Sequence, residues 1–251
     1  MPGAETSHLP TLEPLSWQPA TVARFVDGFS VGQDPQHQQG LLYSLDLSSV
    51  FSSVAFTEIP TGVSVLDLCS APGGKAILAQ RALDPKVLCC NEVIAKRIPA
   101  LRSNLERLKI QADISNLDPK VWAQGSDSFD LVIVDAPCSG QSLIARGKDA
   151  FGCFLPHIVK TNANRQRRIL ACAAECVNEG GWLAYMTCTF GPEENEDTVA
   201  WLLKRFPSFT PQKITLLTDT QSQLVDWPCY RLFPHLGVGA GAFVCLLRQE
   251  M

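Results

Sequence analysis

The sequence predicts an α/β protein with a mostly parallel sheet flanked by helices. Three observations predict it. Short apolar runs at Val63 to Cys69, Val87 to Asn91, Leu131 to Asp135 and Trp182 to Cys188 alternate with stretches of helical periodicity, the pattern of βαβ units. A small-residue turn, Ser70-Ala71-Pro72-Gly73-Gly74-Lys75, joins the first run to the first helix. Two cysteines, Cys138 and Cys188, follow later runs, so both thiols and the turn fall at the carboxyl ends of strands, where open α/β sheets bind ligands.

Each element has its own reason. Leu41 to Phe56 reads as a helix covering one end of the sheet, and Gly74 to Ala82 as the helix entered through the turn. Ala95 to Leu108 carries Ile98, Leu101, Leu105 and Leu108, a spacing that buries one helical face. Asn162 to Asn178 repeats that spacing and is expected to stop before Gly180-Gly181. Asn195 to Arg205 follows the fourth run, with Val199, Leu202 and Leu203 inward. Ala242 to Leu247 is a closing strand reached through Gly237 to Gly241.

With 251 residues and 46% hydrophobic content, the chain suits one domain, 40–251, preceded by a partly irregular N-terminal extension, 1–39. Met1 to Pro19 holds four prolines and lacks a charged start followed by an apolar stretch, so it reads as neither signal peptide nor anchor. No run reaches the roughly 18 apolar residues of a transmembrane helix.

Ten cysteines, scattered and without a C-x-x-C, do not form a disulfide framework, and four dispersed histidines argue against zinc. An intracellular, reducing compartment (cytoplasm, nucleus or mitochondrion) is the expectation. The net charge of −4 argues against indiscriminate coating of nucleic acid, but it averages over two basic stretches, Lys96 to Lys109 and Lys160 to Arg168. Glu193, Glu194, Glu196 and Asp197 read as an acidic helix start suited to the macrodipole.

The 70–75 turn matches neither the dinucleotide fingerprint nor the P-loop, yet its physics suits a ligand. Small residues admit close approach, and the helix start beyond offers free N–H groups. Asn91-Glu92 ends the second strand about 20 residues on, where an acid takes ribose hydroxyls.

Four ordered motifs then carry a resemblance: Leu66-Asp67-Leu68-Cys69-Ser70-Ala71-Pro72-Gly73-Gly74-Lys75, Asp135-Ala136-Pro137-Cys138-Ser139-Gly140, Thr187-Cys188-Thr189 with Glu194-Asn195-Glu196, and Arg231-Leu232-Phe233-Pro234-His235. Together they resemble the NOL/NOP/Sun (NSUN) family of RNA cytosine-5 methyltransferases over roughly Gly40 to Arg248. The resemblance implies a Rossmann-like class I fold that uses S-adenosyl-L-methionine. Cys69, Ser70, Ala71, Pro72, Gly73, Gly74 and Lys75 would wrap the cofactor, Glu92 would hold its ribose and Asp118 its adenine, with Asp113 an open competitor for that role. Asp135 would lie between cofactor and base, Lys75 would help position the cytosine, Cys188 would be the nucleophile, and Cys138 would assist product release. No role falls to a metal.

Chemistry supplies a separate reason for two thiols and an acid. Carbon 5 of cytosine becomes nucleophilic only after something adds to carbon 6, and a thiolate does that. The expected substrate is structured RNA, ribosomal or transfer, with the target base out of its stack and an accessory RNA-binding partner possible. Two other functions fit the fold: a non-catalytic RNA-binding or ribosome-assembly factor, and a methyltransferase for a non-RNA substrate. A mere binder has no need of both thiols. Ser70 and Met186 depart from the family's usual Ala and Ser, and Gln141 to Thr161 departs further, keeping only Gly147-Lys148-Asp149 where an acidic-proline segment is usual. His235 reads as a packing or capping residue.

Overall fold

The computed structural model describes residues 9–26, 28–125 and 127–250. The first eight residues of the extension and Met251 lie outside them.

The extension forms a small antiparallel ribbon, β1 (Thr11–Leu12) with β2 (Arg24–Phe25), and docks through Trp17, whose ring meets Phe51 edge-on at 5.3 Å. After the short helix α1 (Pro35–Gln38) comes α2 (Leu47–Ser53). Residues 41–46 were expected to be helical and are not, because Asp46 caps α2 by accepting from Ser48 N at 2.9 Å.

The main chain then alternates as expected: β3 (Ser64–Asp67), α3 (Gly74–Leu83), β4 (Val87–Asn91), α4 (Ile98–Arg107), β5 (Asp113–Ser115), α5 (Pro119–Gln124) and β6 (Phe129–Asp135). The single turn α6 (Ser142–Ala145) precedes α7 (Pro156–Glu175), β7 (Val177–Thr187) and α8 (Glu196–Arg205), and β8 (Phe209–Gln212), β9 (Tyr230–Leu232) and β10 (Ala242–Gln249) complete the sheet. Sheet order is β5-β4-β3-β6-β7-β10-β8, with β9 sharing the outer edge of β10. The first five are parallel and β10 runs antiparallel to β7.

Side chains alternate between two faces, as the pleat requires. Val65, Leu131, Ile133, Ala184 and Leu246 pack under α2, α3 and α4, while Leu66, Val132, Val134, Leu183 and Leu247 pack under α7 and α8. Both faces are covered, so these strands read as unbroken apolar runs.

Helix α7 corrects the sequence reading twice. It begins at Pro156, in the first-turn position that tolerates proline, and ends at Glu175, five residues before Gly180. The glycines do not stop it. They lie inside β7, where pairing with β6 jumps from Phe129–Val177 to Leu131–Trp182; Gly180 takes φ +69°, and a Cβ on Gly181 would lie 2.8 Å from the Asn178 carbonyl oxygen. Among the described residues no helix is long and apolar enough to cross a membrane.

Candidate active site

The carboxyl ends of β3, β4, β6 and β7 bring most of the expected residues to one edge. After β3 the chain turns through Gly73 at φ +110° into α3, and a Cβ on Gly73 or Gly74 would lie 3.1 Å from Leu101 or 3.0 Å from Leu45. The left-handed backbone at Gly73 favours glycine, and a side chain at Gly74 would press on Leu45. Lys75, 6% exposed, points back across the turn to Asp135 at the end of β6, with Nζ donating to Oδ2 at 3.0 Å.

Glu92 follows β4. Its buried carboxylate accepts from Ile94 N at 2.8 Å and Arg97 Nη1 at 2.9 Å, while Arg97 also donates to the Ala71 carbonyl of the glycine turn. Asn91 beside it holds the loop after β5: its Oδ1 accepts from Ser115 Oγ and Leu117 N, and its amide donates to Leu117 O. That loop ends at the exposed Asp118, which caps α5 by accepting from Lys120 N at 2.9 Å. Asp113 pairs with Cys89 at the opening of β5, two residues back from that edge, and lines a cleft with Lys86 and Val87 at the amino end of β4.

The two thiols meet. Cys138 Sγ, from the turn after β6, lies 3.1 Å from Cys188 Sγ, after β7. A hydrogen bond from Cys138 is the main cause holding the Cys188 thiol down to about 7, against burial and aided by Ser142 and Lys75. Cys138 is pushed well above its ordinary value by the same bond and by burial. Cys69, in the glycine turn, is also pushed well up, by burial and then by Asp67, so it is no rival nucleophile.

Buried polar residues that the sequence reading gave no positioning role hold these turns. Glu194, fully buried, accepts on Oε2 from Ser139 N at 2.9 Å and from Gln166 Nε2 at 2.8 Å, and Gln166 also donates to Pro137 O. Asn195 accepts from Thr187 Oγ1 at 2.6 Å and donates to Thr189 O at 3.0 Å, gripping the Cys188 turn on both sides. Glu196 pairs with Arg231 through two bonds, and Arg231 Nη1 donates to Phe190 O at 2.8 Å. Gln141 Oε1 accepts from Phe190 N and Gly191 N.

The acidic run is therefore not a solvated helix start: Glu194 and Glu196 point inward, although Glu193 and Asp197 stay exposed. Nothing in the sequence marked Gln166. His235 is exposed and stacks on Phe233 at 5.7 Å, away from the thiol contacts. Of the first basic stretch, Arg97 is tied to Glu92, and Arg107 donates to His37 O and Leu42 O.

Known proteins resemble the chain over most of its length. The chain is similar to ribosomal RNA small subunit methyltransferase F of Klebsiella pneumoniae, 30% identical over 259 residues, covering 96% of this chain and 54% of that protein. The Cronobacter sakazakii protein of the same name is 29% identical over 257 residues with the same coverage. The chain thus spans about half the length of the curated relatives it matches. Among solved structures, a methyltransferase homologue from Pyrococcus horikoshii superposes with a TM-score of 0.75 at 26% identity, over 89% of this chain and 73% of that one. NSun6 from the same organism, solved with SFG, gives 0.77 at 21% identity, over 88% and 56%. The model of the 16S rRNA methyltransferase RsmB/F family matches residues 58–248, which takes in all four motifs, and the chain belongs to that family.

Proposed function

We propose that the chain methylates carbon 5 of a cytosine in structured RNA, ribosomal RNA foremost, through a covalent adduct on Cys188. The observation that carries this reading is the pair of thiols in contact, one held near neutral pKa, beside the Lys75–Asp135 pair. In it, residues 40–251 are the catalytic domain, preceded by the 1–39 extension.

The residues fit S-adenosylmethionine. Ser70 Oγ and Asp67 Oδ2 are buried at this turn without a hydrogen-bond partner, polar atoms that a bound ligand would satisfy. The turn 69–75 would wrap the cofactor, Glu92 would take the ribose, and Asp118 stands on the loop suited to the adenine. Bound there, the cofactor supplies an electrophilic sulfonium methyl.

The protein's part follows from charge. Cys188, ionised near neutrality, adds to carbon 6, and the ring's electron pair shifts to carbon 5. Asp135 and Lys75 hold the pyrimidine by its ring nitrogen and amino group while charge develops. After methyl transfer, the proton on carbon 5 must leave so that the carbon 6–sulfur bond can break and return its electron pair to Cys188. Cys138 would serve that step, a role its 3.1 Å contact with Cys188 supports. The Cys188 charge that opposes its ionisation disappears once that sulfur is in the adduct.

The net charge of −4 fits modest RNA affinity, to which an accessory partner contributes, and ten free thiols suit a reducing compartment. Trapping tests the reading: RNA bearing 5-azacytidine should become covalently attached to wild type and Cys138→Ala but not to Cys188→Ala. Attachment to Cys188→Ala, or to none of the three, overturns it.

A further inference from the structure

Beyond the thiol edge lies a groove of about 380 Å³ between the first turns of α7 and the start of α8, within the size range of small-ligand sites. Its floor is apolar, Val159 and Ala163, and Phe154, 57% exposed, forms one wall. Lys160 and Arg167 line one side, Glu193 and Asp197 the other. Among the described residues neither cation has a salt-bridge partner, and Arg167 Nε is buried without any hydrogen-bond partner.

The groove is coupled to the thiol turns through the chain itself. Glu193 precedes Glu194, which holds Ser139 N beside Cys138. Phe154 follows Cys153, whose carbonyl accepts from Gln141, and Gln141 in turn holds Phe190 and Gly191 just after Cys188.

An exposed ring, two unpaired cations and two carboxylates suit three parts of a nucleotide. Aromatic rings stack on bases, cations take phosphates, and carboxylates accept from amino groups on base edges. A lone apolar groove would lack the last two. We propose that this groove binds the unpaired nucleotide flanking the target cytosine, with its base on Phe154, its phosphate on Lys160 and Arg167, and an amino-bearing edge toward Glu193 and Asp197. The site rests on the RNA reading but not on catalysis, so binding can test it separately.

The experiment measures anisotropy of fluorescein-labelled single-stranded RNA 10-mers. Each is oligouridine with a central cytosine, and the neighbouring position is guanine, uracil or abasic. Phe154→Ala should weaken the guanine 10-mer by roughly ten-fold or more, and Lys160→Ala should lower the salt slope by about one. Wild type should bind the uracil RNA less tightly than the guanine RNA, and the abasic RNA should bind wild type and Phe154→Ala alike.

Equal binding of all RNAs by wild type, or an unchanged Phe154→Ala, overturns the site. A wild-type dimer in sedimentation that Phe154→Ala dissolves, with RNA affinity unchanged, assigns the groove to a second copy and also overturns it. If the Phe154 dependence holds while the 5-azacytidine trap fails, methyl transfer falls and the groove stands. A working trap without Phe154 dependence gives the reverse.

Discussion

Replacing Cys138 by alanine removes the hydrogen bond that is the main cause of the lowered Cys188 thiol, now near 7 against an ordinary 9.0. At pH 7 a thiol of that value is about half ionised, whereas one returned to about 9 is ~1% ionised, a roughly 50-fold loss of thiolate. A more basic thiolate is also the better nucleophile: with a Brønsted slope of about 0.4–0.5, two pKa units return roughly 6- to 10-fold. The net effect at pH 7 is Cys188 alkylation slowed by roughly 5- to 8-fold, and above about pH 8 the order inverts. The assay follows iodoacetamide uptake on the Cys188 peptide by mass spectrometry from pH 5 to 10.5. Wild type should show a midpoint near 7, the variant one near 9, and the two rate curves should cross at about pH 8. The other nine cysteines are all pushed up, so Cys188 should be the first alkylated near neutrality. A midpoint that stays near 7 in Cys138→Ala would refute the assignment of the shift to the neighbouring sulfur.

Asp67 is fully buried, and burial, then the Asp135 charge, raises its carboxyl to about 7 from 3.8. A carboxyl whose folded value lies above its unfolded one favours the folded state's proton, so wild type should lose stability as pH rises from about 4 through 7. The ceiling on that loss is about 4 kcal/mol, and Asp67→Asn should flatten the profile in urea denaturation; an unchanged slope would count against it. Arg231→Met leaves the buried Glu196 carboxylate without its counter-charge, only the Ser222 hydroxyl still donating to it, and should cost about 3–5 kcal/mol, much of it recovered by adding Glu196→Gln. Asn195→Ala frees the Cys188 turn on both sides and should slow 5-azacytidine trapping by roughly ten-fold or more, with RNA affinity unchanged in the same anisotropy assay.

Much of this was legible from residue order because the features were local. Val87–Asn91 occurs as read, the glycine turn enters α3 at Gly74, and both thiols come to one edge, since a parallel strand's end is fixed by where its apolar run stops. Contacts between distant elements left weaker traces. Gln166 lies on a long helix and bonds Glu194, 28 residues away; nothing in its own surroundings marks a polar side chain that must point inward. Strands β8 and β9 are short and sit on the outer edge of β10, where a four- or three-residue run carries too little periodicity to separate from loop. Gly180 and Gly181 signalled special backbone correctly, but a bulge and a helix stop ask for the same residue.

The buried acids give physical content to the spacing of the motifs. Two thiols on separate turns can share a proton only if both turns hold their places to a fraction of an ångström. Neither turn has strand pairing of its own to do this. Glu194 fixes the Cys138 turn through a backbone N–H, Asn195 fixes the Cys188 turn through a side chain and a carbonyl, and Glu196 draws Arg231 onto Phe190 just beyond it. These three consecutive residues thus reach the two thiol-bearing turns and, through Arg231, the distant β9. A run that buried two carboxylates without such partners would cost several kcal/mol per charge. Removing the contact between the thiols would remove the reason for that arrangement, so the acids and the sulfurs form one device.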